Sequence, residues 1–228
     1  MPRFFAQVSG EEALISGRDV RHITGPLRRR LGDEILIRQG TNGFRAKITG
    51  ITKDEISLEV MEKEVLSDRG KARVHLGISL IDIREMDDAL RLTAELGVVS
   101  ICPVIAERSN TRAISQAKLK RWEDIIKESV KQSHRRSIPV LEPPVKLPEF
   151  IKSAGARFMN RYYASMDGSK SILDIKDEEL CFAIGPEGGF TEQETGLFDK
   201  YGYTPVNMGK TTLRTLAAAV AAASILCI

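Results

Sequence analysis

The sequence predicts an α/β chain in two parts, a small all-β segment over 1–70 and a domain of alternating strands and helices over 71–228. Three observations carry this. Apolar residues alternate with polar ones at Ile35 and Ile37, at Phe44, Ala46 and Ile48, and at Ile56, Leu58 and Val60. Turn signals at Thr41-Asn42-Gly43 and Lys53-Asp54 separate these period-2 runs, as in consecutive hairpins. After a polar linker at 67–73 the rhythm changes to strand, helix, strand, which implies a mostly parallel sheet with helices on both faces.

Several short strands within 70 residues suggest a small barrel, which removes its own edges. In the second part, 75–80 reads as a buried strand. Met86, Ala89, Leu90, Thr93 and Leu96 follow helical spacing, and Gly97 ends that helix. A strand over 98–105 follows. Residues 116–136 form a long amphipathic helix with Leu119, Trp122, Ile125, Ile126 and Val130 on one face. Strands are expected at 158–166, 180–184 and 204–208. A helix begins near Thr191, where Glu194 completes a capping-box pattern, and a last helix runs from Leu213.

With 228 residues, 42% apolar and 29% charged, the chain has material for a core and is not disordered. Its most apolar run, 213–228, is shorter than a membrane span needs. No signal peptide is visible, and Cys102, Cys181 and Cys227 lie far apart without a CxxC. Buried, reduced thiols and a cytoplasmic location are expected. Charge is uneven. Residues 107–161 carry 13 basic and 6 acidic groups, +7, whereas 162–228 carry 5 and 9, −4. With Arg28-Arg29-Arg30, and Lys131 near Arg135 and Arg136, the basic stretch suits a polyanion such as RNA as well as a solvated face.

The most unusual local sequence is Ile184-Gly185-Pro186-Glu187-Gly188-Gly189-Phe190, between a strand and a helix. Such a loop lies at the carboxyl end of a strand, where open α/β sheets bind ligands. Gly209-Lys210-Thr211 is no P-loop, because Thr204 stands where the first glycine belongs. No GxGxxG and no nucleophile elbow occurs. His22, His75 and His134 lack metal-ligand spacing, so no metal is expected. His75 reads as a core strand residue, while His22 and His134 lie beside arginines on the RNA side. The loop from Met208 to Arg214 is taken to adjoin the Gly185 loop on a neighbouring strand. Two glycine-bearing loops with few basic groups suit a phosphate-free ligand, and S-adenosylmethionine is one.

Several segments together resemble a known family. They are Met1-Pro2-Arg3-Phe4-Phe5, His22 with Leu27-Arg28 and Gly32-Asp33, and Glu95-Leu96-Gly97-Val98 with Pro103 and Glu107-Arg108-Ser109. Gln132-Ser133-His134-Arg135 with Pro139, the Gly185–Phe190 loop with Glu194, and Gly209 with Leu213-Arg214-Thr215 complete the series. Their order is similar to that of the SPOUT-class bacterial 16S ribosomal RNA uridine-N3 methyltransferases. The resemblance implies a PUA-like N-terminal barrel, a trefoil-knotted SPOUT methyltransferase domain, and a homodimer acting on the small ribosomal subunit. At three positions the chain departs from the family pattern: Thr211 stands for an Arg, Leu216 for a Glu and Leu92 for a Lys.

The resemblance also places S-adenosylmethionine against Ile184, Gly185, Glu187, Gly188, Met208, Gly209, Leu213 and Ala217. Arg135 and Arg214 take substrate-side catalytic roles, and Arg3, His22, Arg28, Arg108 and Arg136 contact RNA. Glu187 is a candidate proton acceptor, but the favoured role for its carboxylate is to pin the loop through backbone N–H groups. Two alternatives stand beside methylation of uridine N3. One is an RNA-binding or ribosome-assembly factor that lost the chemistry, and the other a SPOUT methyltransferase with another RNA target.

Overall fold

The computed structural model describes residues 3–40, 42–64, 71–111, 113–133, 135 and 137–228, with Arg3 and Glu64 by backbone only. Thr41, most of the expected linker, His134 and Arg136 lie outside the described residues. The chain divides into two compact units. One is Met1–Asp68 with Val130–Ile138, the other Arg69–Ser129 with Pro139–Ile228.

The first unit contains β1 (Arg3–Phe5), β2 (Gln7–Ser9), β3 (Glu12–Ser16), α1 (Arg18–Thr24), β4 (Glu34–Gln39), β5 (Asn42–Ile51) and β6 (Glu55–Glu64). Its sheet runs β1-β4-β5-β6-β3-β2. The two edge strands, β1 and β2, are joined by Ala6 alone. One residue reaches only about 7 Å, so the sheet must curl until its edges meet, the geometry of a nearly closed barrel. The alternating residues named from sequence fill it. Ile35, Ile37, Ala46, Ile48, Ile56 and Leu58 form its core with Phe4, Ile15 and Ile23. Strands β1 to β3 and helix α1 were not anticipated, because runs of three to seven residues carry too little periodicity.

Residues 130–138 join this unit through side chains. Lys131 donates to both oxygens of Asp19, at 3.1 and 3.0 Å, and lies over the Phe5 ring. The buried Arg38 guanidinium, also over Phe5, donates to the carbonyl of Arg135.

The second unit contains β7 (Arg73–Ser79), α2 (Ile83–Leu96), β8 (Ser100–Ile105), α3 (Gln116–Gln132, its last three residues in the first unit), β9 (Val140–Leu141), β10 (Val145–Lys146) and α4 (Leu147–Arg157). It continues with β11 (Arg161–Ala164), β12 (Lys170–Ser171), a short 3-10 turn at Ile172–Asp174, β13 (Glu179–Ile184), α5 (Glu192–Lys200), β14 (Thr204–Asn207) and α6 (Thr215–Cys227). Every strand pair is parallel, in the order β10-β8-β7-β13-β11-β14-β12, with β9 also beside β8. Alternate residues therefore serve opposite faces. Cys102, Val104, Cys181 and Ala183 meet α4 and α5 through Phe150, Ile151 and Phe198. On the other face the small side chains Ala219, Ala222 and Ala223 let α6 lie close to α2 and β7. Trp122 is fully buried, and its Nε1 donates to Asp87 Oδ1 of α2 at 2.8 Å.

Gly97 caps α2, its N–H bonded to Thr93 O at 3.2 Å, and the capping box of Thr191 and Glu194 is complete in both directions. Several boundaries need correction, including the strand expected over 98–105, which starts at Ser100, and the one expected over 75–80, which starts at Arg73. The third helix ends at Gln132, not at 136. The 158–166 strand shrinks to 161–164, because Phe158 caps α4. The last helix starts at Thr215. Helix α4, with Pro148 in its first turn, was not anticipated.

Two features were hidden from the sequence and set the site. Strand β11 lies between β13 and β14, so the Gly185 and Met208 loops do not follow neighbouring strands. Ala164 and Lys170 are both level with Val206, so residues 165–169 cross β14 from one side to the other. At Gly168 the crossing leaves no room: a Cβ would lie 2.6 Å from the Val206 carbonyl carbon and 2.7 Å from Asn207 N. Cys102, Cys181 and Cys227 are buried and form no disulfide, and burial pushes Cys102 up to about 12. Among the described residues no helix is long and apolar enough to cross a membrane.

Two outcomes follow from the core. A Cβ on Gly77 would come within 2.8 Å of both Phe150 Cε atoms and closer still to Cζ. Gly77→Ala is expected to cost about 1–3 kcal/mol in urea unfolding, and Phe150→Leu should cost less in that background than in the wild type. The buried His75 contacts Ser100 Oγ at 2.8 Å and Glu179 Oε1 at 3.1 Å. Desolvation, outweighing the pull of Glu179, lowers its pKa below the ordinary 6.5. The unfolded chain then binds more protons here, so stability is full above 6.5 and declines as pH falls below it. The hydrogen bond from His75 holds Glu179 below its ordinary 4.5, and that contribution is lost only at lower pH. Unfolding free energy should therefore drop between about pH 7 and pH 5, and His75→Gln should remove this upper step.

Candidate functional site

The segments leaving β11, β13 and β14 enclose a cleft of about 260 Å³. It is placed as ligand sites of open parallel sheets are, outside the carboxyl ends of the strands and near a change in strand order. Ile184, Phe190, Met208 and Leu213 give apolar wall, and Thr211, Thr212 and Thr215 give hydroxyls. Two carboxylates, Asp167 and Glu187, also line it. Among the described residues that line it, none is Lys or Arg.

The Gly185 loop is held from three sides. Thr215 Oγ1 donates to Gly185 O at 2.8 Å, which ties it to the start of α6. Arg108 donates to Gly188 O at 2.6 Å, and Gly189 N closes a turn onto Pro186 O at 2.8 Å. Phe190 packs edge-on against Phe198, which stacks on Tyr163 with centroids 4.4 Å apart. Beneath the loop the buried Glu194 carboxylate accepts from Thr191 N at 2.9 Å and from Glu107 N at 2.8 Å, joining this loop to the one after β8.

Ile184, Gly185, Glu187, Met208 and Leu213 meet at the cleft as expected. Gly188 and Gly209 shape its loops without lining it. Ala217 is exposed and turned away, and the next residue on the helix, Ala218, lines the cleft instead. The pinning role expected of Glu187 is not observed. Among the described residues its carboxylate accepts no hydrogen bond, and Arg108 and Thr215 hold the loop. Arg214 is exposed at the N-terminal cap of α6, between two lining residues, and its guanidinium has no partner among the described residues. In the first unit, Arg135 is half-buried with its guanidinium 3.4 Å from Ser137 Oγ. His22 and Arg28 are exposed there, Arg28 at φ 49°. Only the backbone of Arg3 is described.

The segment after β11 was missed altogether. Ser165, Met166 and Asp167 line the cleft, and the strand expected to run to 166 concealed them. The available signal was Asp167-Gly168-Ser169, a turn sequence in the middle of a polar run.

The RNA methyltransferase domain model matches residues 68–227. The chain belongs to this RNA methyltransferase family. It is 32% identical over 187 residues to ribosomal RNA small subunit methyltransferase E of Aquifex aeolicus, covering 80% of each chain. The enzyme of that name from Buchnera aphidicola subsp. Schizaphis graminum is 28% identical and covers 96% of this chain and 91% of its own. Among solved structures, ribosomal RNA small subunit methyltransferase E of Neisseria gonorrhoeae bound to S-adenosyl methionine superposes with a TM-score of 0.84. It is 30% identical and covers 98% of this chain and 95% of its own.

Glu194→Gln keeps the shape of the buried carboxylate but turns an N–H group toward one of its two backbone donors. A loss of about 1–3 kcal/mol is expected in denaturant unfolding. Thr191→Ala, which removes the cap and an exposed hydrogen bond to Glu107 Oε2, should cost about 1 kcal/mol.

Proposed function

We propose that this chain is an S-adenosylmethionine-dependent methyltransferase that modifies N3 of a uridine in 16S ribosomal RNA. The observation that carries the reading is the cleft: three backbone segments at the strand ends, two carboxylates and no basic side chain. That donor set suits a cationic adenosyl ligand and disfavours one bearing phosphates. Backbone N–H and C=O groups can take the adenine, with Ile184, Met208 and Leu213 against its faces. Asp167 and Glu187 balance the positive charge. When bound, the cofactor supplies a methyl group activated by the sulfonium. The relatives named above support this assignment.

The remaining steps fall to the chain's own residues. Holding the uracil in line with the methyl is a large part of the acceleration. N3 carries a proton at neutral pH, and Glu187, which lines the cleft and whose carboxylate has no hydrogen-bond partner among the described residues, is assigned as acceptor. Arg214 and Arg135 are assigned to the developing charge on the uracil oxygens. Arg3, His22, Arg28 and Arg136 are assigned to RNA. For Arg108 the hydrogen bond to Gly188 favours loop support over an RNA contact.

The first unit is read as a PUA-like barrel and the second as a trefoil-knotted SPOUT domain. The crossing of β14 by residues 165–169 is the feature that favours a knot. A homodimer working in the cytoplasm on the small ribosomal subunit completes the proposal.

Labelled S-adenosylmethionine and small subunits from a strain lacking the protein provide the test. Label is expected on N3 of one 16S uridine. Arg214→Ala should lower kcat roughly 100-fold with little change in cofactor affinity. Cofactor binding without label would favour an RNA-binding factor, and label on another RNA a different methyltransferase.

A further inference from the structure

We propose that Asn207 is a positioning residue that latches two segments of the cofactor cleft, so that the cleft is formed before the cofactor arrives. The inference rests on the cofactor assignment above and adds a residue to it. Asn207 ends β14 under the crossing segment 165–169. Its amide works in both directions. Nδ2 donates to the carbonyl of Met166 at 3.0 Å, and Oδ1 accepts from Gly209 N at 2.7 Å. Met166 and Met208, next to these two bonds, both line the cleft.

The segments on either side have few other ties. Ser165 N bonds Val206 O at 2.9 Å, and Thr212 Oγ1 lies 3.8 Å from the Met166 sulfur. The pairing of Ala164 and Lys170 with Val206 and the close packing at Gly168 fix where the crossing meets β14, but they do not tie Met166 to the segment after β14. The amide makes that tie, because a group with both a donor and an acceptor satisfies the Met166 carbonyl and the Gly209 N–H at once. With the latch closed, the cofactor meets an ordered wall and loses less free energy in ordering it.

Two substitutions separate the two bonds. Asn207→Asp keeps an acceptor for Gly209 N but has no donor for Met166 O, while Asn207→Ala removes both. Calorimetry is expected to show S-adenosylmethionine binding weakened roughly tenfold in each, the worth of about one hydrogen bond. S-adenosylhomocysteine, which lacks the sulfonium charge, should weaken equally and so exclude an effect of the new carboxylate. KM for the cofactor should rise in parallel while kcat stays within about twofold, since Asn207 acts on binding alone. Without any ligand, amide exchange over 165–169 should quicken in both variants.

Unchanged exchange there, or cofactor affinity within about twofold of wild type in a folded variant, would overturn the latch. If Asn207→Ala does not fold, Asn207→Asp decides. A wild type that binds no S-adenosylmethionine would remove the cofactor assignment, whereas a wild type that binds it no better than the variants would remove only the latch.

Discussion

The contact between Gly168 and the backbone of β14 is the constraint on which the cleft depends. Strand β11 sits between β13 and β14, and the chain must then pass over β14 to reach β12. That passage is possible only where the crossing residue has no side chain, because both partners at the contact are main chain and cannot yield. Once the crossing is made, Met166 and Asp167 face the segments leaving β13 and β14, and three separate stretches of sequence share one wall.

The scaffold around this wall uses polar groups for support rather than for chemistry. Glu194 is buried, yet both its oxygens are used by backbone N–H groups, so its burial is compensated. Arg108 supports the carbonyl of Gly188, and Thr215 that of Gly185. Among the described residues neither the Glu187 carboxylate in the cleft nor the Arg214 guanidinium beside it has a hydrogen-bond partner.

The barrel strands around Ile35, Ala46 and Ile56 were legible because one wet face and one dry face impose strict alternation. The capping box at Thr191 was legible because its geometry is local to four residues. Strand order was not, since a parallel sheet buried on both faces leaves no trace of which strand neighbours which. That gap made two loops look adjacent and hid the third. The exchange of Ala217 for Ala218 has a similar origin: all of 217–219 is alanine, and composition alone does not orient α6. The membership of 130–138 in the first unit depends on Asp19 and Arg38, far away in sequence.

The central claim is that a cleft walled by backbone and carboxylates, without a cation, takes an adenosyl sulfonium. Titration calorimetry of the full chain with S-adenosylmethionine, and separately with ATP at matched ionic strength, tests it most directly. Saturable binding of S-adenosylmethionine with no detectable heat from ATP is the expected result. Comparable binding of ATP, or no binding of the sulfonium compound, would contradict it.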